Sequence, residues 1–117
     1  MLLDKKGKLV KSLDFRGTSI ELLDNLTAKE LFRIMCSAQQ EVNLKERFKA
    51  TDLIPENWKG TVYEPIFTAC AKGNRGNALR LMGVIIKQAL IMTPLLFSQI
   101  DSGEYEATTY VKETLKF

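Results

Sequence analysis

Apolar residues recur at helical spacing after a strong helix-start signal at Thr27. Thr27 can accept a hydrogen bond from the amide three residues on, while Glu30 can reach back to the Thr27 amide. Apolar residues follow at positions 31, 35, 38 and 42, and Phe32 and Cys36 widen this stripe. The pattern predicts an amphipathic helix that begins at Thr27 and runs to about residue 42.

A second, longer helix is predicted over residues 75–92, and it is apolar around most of its circumference. One narrow line differs, because Gly76, Arg80, Gly83 and Lys87 recur at spacings of four, three and four. Pro94 ends the helix. Such a helix is either the central core helix of the domain or half of a homodimer interface.

Four shorter elements are predicted before the second helix: a hairpin or loose arm over residues 2–15, and helices over 44–48, 51–54 and 62–71. Thr61 caps the last of these helices, and Lys72-Gly73-Asn74 ends it with a tight turn.

The tail of the chain changes to a period of two, which is typical of strands. Residues 95–100 and 105–112 predict two strands, and residues 101–104 predict the turn between them. We therefore expect one domain, 1–117, that is mainly α and of α+β class. Its parts are an N-terminal arm or hairpin (1–17), a helical core (27–92) and a β-hairpin (95–112).

Composition excludes several classes of enzyme. The 117 residues include no histidine and only two cysteines, so Ser-His-Asp and Cys-His catalytic groups and a four-thiolate zinc site are excluded. No phosphate-binding glycine motif occurs. Asp52 and Glu56 lie four apart, but we interpret them as a helix-start acid and a surface acid. We expect no enzymatic activity, no catalytic residue, no cofactor and no metal site.

A cytoplasmic location is expected. The start of the chain lacks the charge order of a secretory signal, and the most apolar stretch, residues 79–97, is interrupted by Arg80, Lys87 and Pro94. Cys36 and Cys70 are then expected to be reduced thiols in the core.

The net charge of +3 is modest, but its distribution is uneven. Residues 59–88 contain five basic residues and one acidic residue, a net charge of +4. A second basic run consists of Lys5, Lys6, Lys8 and Lys11. Runs of this kind form either a solvated face or a contact surface for an anionic partner.

The order of elements is typical of a winged-helix domain, in which a helix, a tight turn and a second helix are followed by a two-stranded wing. Trp58-Lys59-Gly60-Thr61, Glu64 and the run Asn77–Gly83 strengthen this interpretation. Through them, residues 58–112 resemble the C-terminal winged-helix module of primase and helicase proteins of phages and plasmids. The resemblance implies a DNA-binding accessory role and no catalytic residue.

We therefore expect a non-catalytic, winged-helix-like DNA-binding accessory protein of a bacterial mobile element. It would act as a homo-oligomer on duplex rather than single-stranded DNA. Lys72 and Lys87 would position phosphates, while Asn77 and Arg80 would reach base edges. The complete set of expected DNA contacts is Lys72, Arg75, Asn77, Arg80, Lys87 and Lys112, the last on the wing.

Two alternatives stay open. The chain can be a protein-interaction adaptor or inhibitor that is homodimeric through the apolar helix 75–92 and has a protein partner. It can also hold a small molecule in a pocket around Trp58 and Tyr63.

Overall fold

Helix α1 spans Ala28–Asn43 in the computed structural model, which describes residues 1–12, 18–100 and 108–113. The helix begins at the capping box that the sequence predicts. The Thr27 hydroxyl accepts from the Glu30 amide at 3.1 Å, and the Glu30 carboxylate accepts from the Thr27 amide at 2.9 Å. Two otherwise unpaired amides of the first turn are thereby satisfied.

The buried face of α1 confirms part of the predicted stripe. Ala38 and Val42 are buried as predicted, together with Ile34, while Leu31, Phe32 and Cys36 lie exposed. Two apolar lines that share Ala38 and Val42 run along this helix, and the one that contains Ile34 packs into the core. The prediction that Cys36 is a core residue is therefore wrong, whereas Cys70 is buried.

Helix α2 spans Arg75–Met92, as predicted, and is the central helix of the fold. The Asn74 side chain caps it by accepting from the Asn77 amide at 3.1 Å. Helix α1 and the helical segments 18–25, 50–53 and 66–70 all pack against it. Its buried residues are Ala78, Leu81, Met82, Ile85, Ile86, Ala89 and Leu90. The chain itself therefore covers the apolar face of this helix.

The helical segments around these two helices are short. A 3-10 helix, Thr18–Asn25, was not predicted, and a second one, Ala50–Leu53, corresponds to the predicted helix at 51–54. The predicted helix 62–71 is shorter than expected: it begins at Glu64 and is a π-helical turn over Ile66–Cys70. Thr61 does not cap it, because the Thr61 hydroxyl donates to the Trp58 carbonyl at 2.8 Å.

Two left-handed residues reverse the chain between the π-helical turn and α2. Lys72 has φ +50° and Gly73 has φ +81°. The Gly73 amide donates to the Phe67 carbonyl at 2.9 Å, which closes the turn. The predicted tight turn into α2 is confirmed.

The strands form one five-stranded sheet in the order β2-β1-β4-β5-β3. The strands are β1 (Leu2–Leu3), β2 (Leu9–Val10), β3 (Arg47–Lys49), β4 (Phe97–Ile100) and β5 (Thr109–Lys112). β1 pairs with β2 antiparallel and with β4 parallel, while β5 lies antiparallel to β4 and β3. The N-terminal segment is thus a hairpin, and the C-terminal hairpin lies in the middle of the sheet. The predicted turn at 101–104 and the segments 13–15 and 105–107 lie outside the described residues.

The short helix predicted over residues 44–48 is wrong, because Arg47–Lys49 is strand β3. Phe48 pairs with Tyr110 across the ladder, and its ring lies 5.5 Å from that of Tyr110 and 6.2 Å from that of Phe97. Long-range pairing and this aromatic cluster override the local helical preference.

The fold is therefore a mixed one, with a helical layer and a sheet. No helix in the three described ranges is long and apolar enough to cross a membrane.

Candidate nucleic-acid interface

The solvent-facing side of α2 carries a line of two cations and two glycines. We call Gly76, Arg80, Gly83 and Lys87 the glycine–cation line. Successive helical residues turn by about 100°, so these four lie within a sector of about 60°, which borders the buried face at Gly83, about 20° from the buried Leu90. Gly76 and Arg80 are exposed, and Gly83 and Lys87 are half-buried. The helical rise separates Arg80 from Lys87 by about 10 Å along the axis. The line that the sequence predicts is therefore formed and reaches solvent.

Gly83 has no structural reason to lack a side chain. A Cβ built at this position meets nothing within 4 Å apart from the helix's own nearby backbone. A glycine in a helix interior costs about 1 kcal/mol relative to alanine. At Gly76 the added Cβ would meet the Asn74 Oδ1 at 3.4 Å, which is an ordinary van der Waals contact. The open strip beside Gly83 leaves the helix backbone accessible between Arg80 and Lys87.

Three other predicted contacts, Lys72, Arg75 and Asn77, lie near the start of α2, each in a different place. Asn77 lies about 60° around the helix from Arg80 and flanks the glycine–cation line. Lys72 is exposed in the left-handed turn before the helix. Arg75 lies about 140° from Arg80 and borders a different cleft of about 440 Å³, beside Trp58 and Phe67. The structure thus brings together Asn77, Arg80 and Lys87, and it places Arg75 apart from them.

Lys112 is held within the chain. Its Nζ donates to the Asn43 carbonyl at 2.5 Å and lies 3.7 Å from a Glu46 carboxylate oxygen. The same Nζ lies 5.9 Å from the centre of the Phe97 ring. Only 18% of the side chain is exposed. These contacts occupy Lys112 at the end of α1, and we leave it out of the candidate interface.

Acidic and basic side chains are used differently in this fold. Six carboxylates accept hydrogen bonds from the chain itself: those of Asp4, Glu30, Glu41, Asp52, Glu64 and Glu113. By contrast, Lys72, Arg75, Arg80 and Lys87 form no ion pair with any residue of the described ranges. The first turn of α2 also contains no acidic residue. The side of the molecule formed by α2 therefore presents cations without internal partners.

Trp58 and Tyr63 do not share a pocket. Trp58 is buried and stacks on Phe67, with ring centres 5.7 Å apart and an interplanar angle of 11°. Tyr63 borders a separate cleft of about 510 Å³, and its hydroxyl donates to Glu41 at 2.8 Å. Burial and this carboxylate raise the pKa of Tyr63. The two rings thus border separate clefts, which disfavours the alternative of one small-molecule pocket around both.

An apolar groove between α1, α2 and the 3-10 helix at 18–25 was not predicted. It is lined by Leu23, Leu31, Met35, Val84, Ile85, Gln88 and Met92. Phe32, on the same helix as Leu31, is 70% exposed, and Met92 is 54% exposed. The signal was present in the sequence, because Leu31 and Met35 belong to the stripe that was assigned to the core.

Comparison of the chain with family models, curated proteins and solved structures finds no match. The resemblance of residues 58–112 to the winged-helix module stays a prediction. In the described ranges, no three Cys, Asp or Glu side chains are grouped so that they could hold a metal ion.

Proposed function

We propose that this protein binds duplex DNA, without catalysis, through the glycine–cation line of α2. The observation that carries the proposal is Gly83, which lies between two cations on an open helix face and has no packing reason to be glycine. A missing side chain lets an external backbone approach the helix closely. Arg80 and Lys87 flank that approach with charges that suit phosphates, and Asn77 adds a donor for base edges.

Charge favours an anionic partner over a second copy of the chain along this line. Two copies packed through the glycine–cation line would bring Arg80 and Lys87 of each protomer towards like charges of the other. Like-charge contacts disfavour association, whereas DNA carries one negative charge per about 1.7 Å of helix axis. DNA is therefore the partner that this face fits.

The winged-helix interpretation supports the proposal through the turn at residues 72–74 and the helix that follows it. In that arrangement α2 is the recognition helix. The β4–β5 ladder has a neighbouring strand on each side, and Lys112 is engaged by Asn43, so we assign no DNA contact to that ladder. The resemblance of residues 58–112 to primase and helicase modules supports an accessory role in a mobile element.

The test is fluorescence anisotropy with labelled duplex and single-stranded DNA at several salt concentrations. The proposal expects duplex binding that weakens steeply with salt, because bound phosphates release counterions. In Arg80→Gln/Lys87→Gln, the slope of log K against log salt should become less negative by about 1.8, which is about 0.9 for each lost phosphate contact.

The matched control is Lys29→Gln/Arg33→Gln, which removes one lysine and one arginine that are exposed on α1. The control should keep the wild-type slope. Absence of duplex binding at low salt, or equal slopes for both double variants, would refute the proposal.

The apolar groove favours a second candidate function, a protein-interaction module. Phe32, Leu31 and Met92 present apolar surface beside a groove of about 280 Å³, and such surface marks interaction sites. For this candidate we expect concentration-dependent self-association in light scattering, lost in Phe32→Ser. A strictly monomeric wild type over the whole concentration range would argue against self-association.

A further inference from the structure

The hairpin β1–β2 carries a basic turn at the edge of the sheet. We call residues Lys5, Lys6, Gly7 and Lys8 the basic tip. β2 is the outermost strand in the sheet order, so this turn projects from an edge rather than from the sheet centre. All four residues of the basic tip are exposed. Residues 1–12 contain four lysines and one acid, a net charge of +3.

The backbone of the basic tip is fixed by Asp4. The Asp4 Oδ1 accepts from the amides of Lys6 and Lys8, both at 2.9 Å. The Asp4 amide donates to the Lys8 carbonyl at 2.8 Å, and the Gly7 amide donates to the Asp4 carbonyl at 3.0 Å. Gly7 has φ +79°, which glycine adopts without strain. The one acid of residues 1–12 is thereby committed to the turn, and the exposed residues Lys6 and Lys8 belong to a backbone that these four hydrogen bonds hold.

Protection of the sheet edge does not account for these lysines. Edge strands avoid aggregation by placing charges, especially lysine, on the strand itself. Here the strand positions are Leu9 and Val10, and the lysines lie in the turn before them and at position 11. Their position suits an external partner that approaches the tip.

We propose that the basic tip is a second contact to the DNA phosphate backbone, separate from α2, with Lys6 and Lys8 as the contacting side chains. This inference rests on the DNA-binding function proposed above. Lysine is a compact point charge that attracts phosphate without reading sequence, so the tip would add affinity and not specificity. A lipid surface suits the tip less well: Leu9, directly after the tip, is 49% exposed, but a single leucine offers little apolar area to bury in a membrane interface.

The experiment compares Lys6→Gln/Lys8→Gln with the wild type, with Arg80→Gln/Lys87→Gln and with the control Lys29→Gln/Arg33→Gln. Duplex affinity is measured by anisotropy over a range of salt concentrations. The tip variant should make the slope of log K against log salt less negative by about 1.8, and this change should add to that of the α2 variant in the quadruple variant. Because Asp4 holds the turn through backbone amides, the tip variant should keep the wild-type urea midpoint.

The outcomes separate the two proposals. If the tip variant keeps the wild-type slope while the α2 variant loses affinity, the basic tip is not a DNA contact and the proposed function stands. If the slope of log K against log salt becomes less negative in the tip variant but not in the α2 variant, the tip binds phosphate and the assignment to α2 fails. Absence of duplex binding by the wild type overturns both. Binding of the wild type to phosphatidylserine vesicles that is lost in the tip variant, with an unchanged DNA slope, assigns the tip to membranes and overturns the inference.

Discussion

At the scale of single residues, Gly83 is the position where helix stability and the proposed DNA contact make opposite demands. The core of α2 is filled by its own chain, and the open side gains nothing from a glycine. Alanine would be better for the helix at this position, because glycine has the larger backbone entropy to lose on folding. Under the proposed function, a close approach of DNA to the helix accounts for this cost.

We predict that Gly83→Ala raises the free energy of unfolding by about 0.5–1 kcal/mol and weakens duplex binding. Urea denaturation measures the first effect, and anisotropy measures the second. Gln40→Ala, at an exposed position of α1, is the control that changes helix propensity without touching the interface. Unchanged or tighter binding in Gly83→Ala would show that nothing approaches the helix there.

At the scale of elements, local signals predict the two long helices and the C-terminal pair of strands, whereas long-range contacts decide strand β3. The Thr27–Glu30 capping box and the apolar run of α2 are encoded within a few residues, and the bounds of both helices follow from the sequence. Strand β3 is not encoded in this way, since its three residues are strand only because β5 pairs with them.

The same distinction between local signals and long-range contacts applies to the residues of the candidate site. Helical spacing alone places Arg80, Gly83 and Lys87 on one line, and the structure keeps them there. The hydrogen bond and the ion pair of Lys112 are formed with Asn43 and Glu46, which lie far away in sequence. The choice between the two apolar lines of α1 also depends on how α1 packs against α2. Those contacts could not be derived from local pattern.

The capping box makes a testable contribution to α1. Thr27→Ala leaves the Glu30 amide without its acceptor, and we expect the free energy of unfolding to fall by about 0.5–2 kcal/mol. Thr27→Ser keeps the hydroxyl and should stay near wild type. Both values come from urea denaturation, and an equal loss in the two variants would show that the hydroxyl is not the stabilising group.

At the scale of the whole molecule, buried acids that are neutral in the fold should set an alkaline limit to stability. Burial raises the pKa of Tyr110 to about 12, and the pKa values of Tyr63 and Cys70 are raised as well. A raised pKa in the folded state favours the protonated form. Its contribution is therefore complete below the unfolded value, about 10 for tyrosine, and is lost as the pH rises through the folded value.

We accordingly predict that the loss of stability begins at about pH 9 to 10 and continues to about pH 12. The urea midpoint as a function of pH measures this loss. Tyr110→Phe keeps the ring and removes the ionisable hydroxyl, so the variant should lose less stability over that interval. An identical pH profile for the variant and the wild type would contradict the assignment to Tyr110.

In the part of the chain that the structure describes, carboxylates accept hydrogen bonds in turns and caps, while on α2 Arg80 is exposed and Lys87 is half-buried, and neither forms an ion pair there. The central claim is that this open side of α2 is where DNA lies. The most direct measurement is an amide NMR titration of the ¹⁵N-labelled protein with a short duplex. The account predicts that the largest shifts fall on Gly76, Arg80, Gly83 and Lys87, with the core positions of α2 little changed. Shifts confined to the α1–α2 groove, or no shifts at low salt, would contradict it.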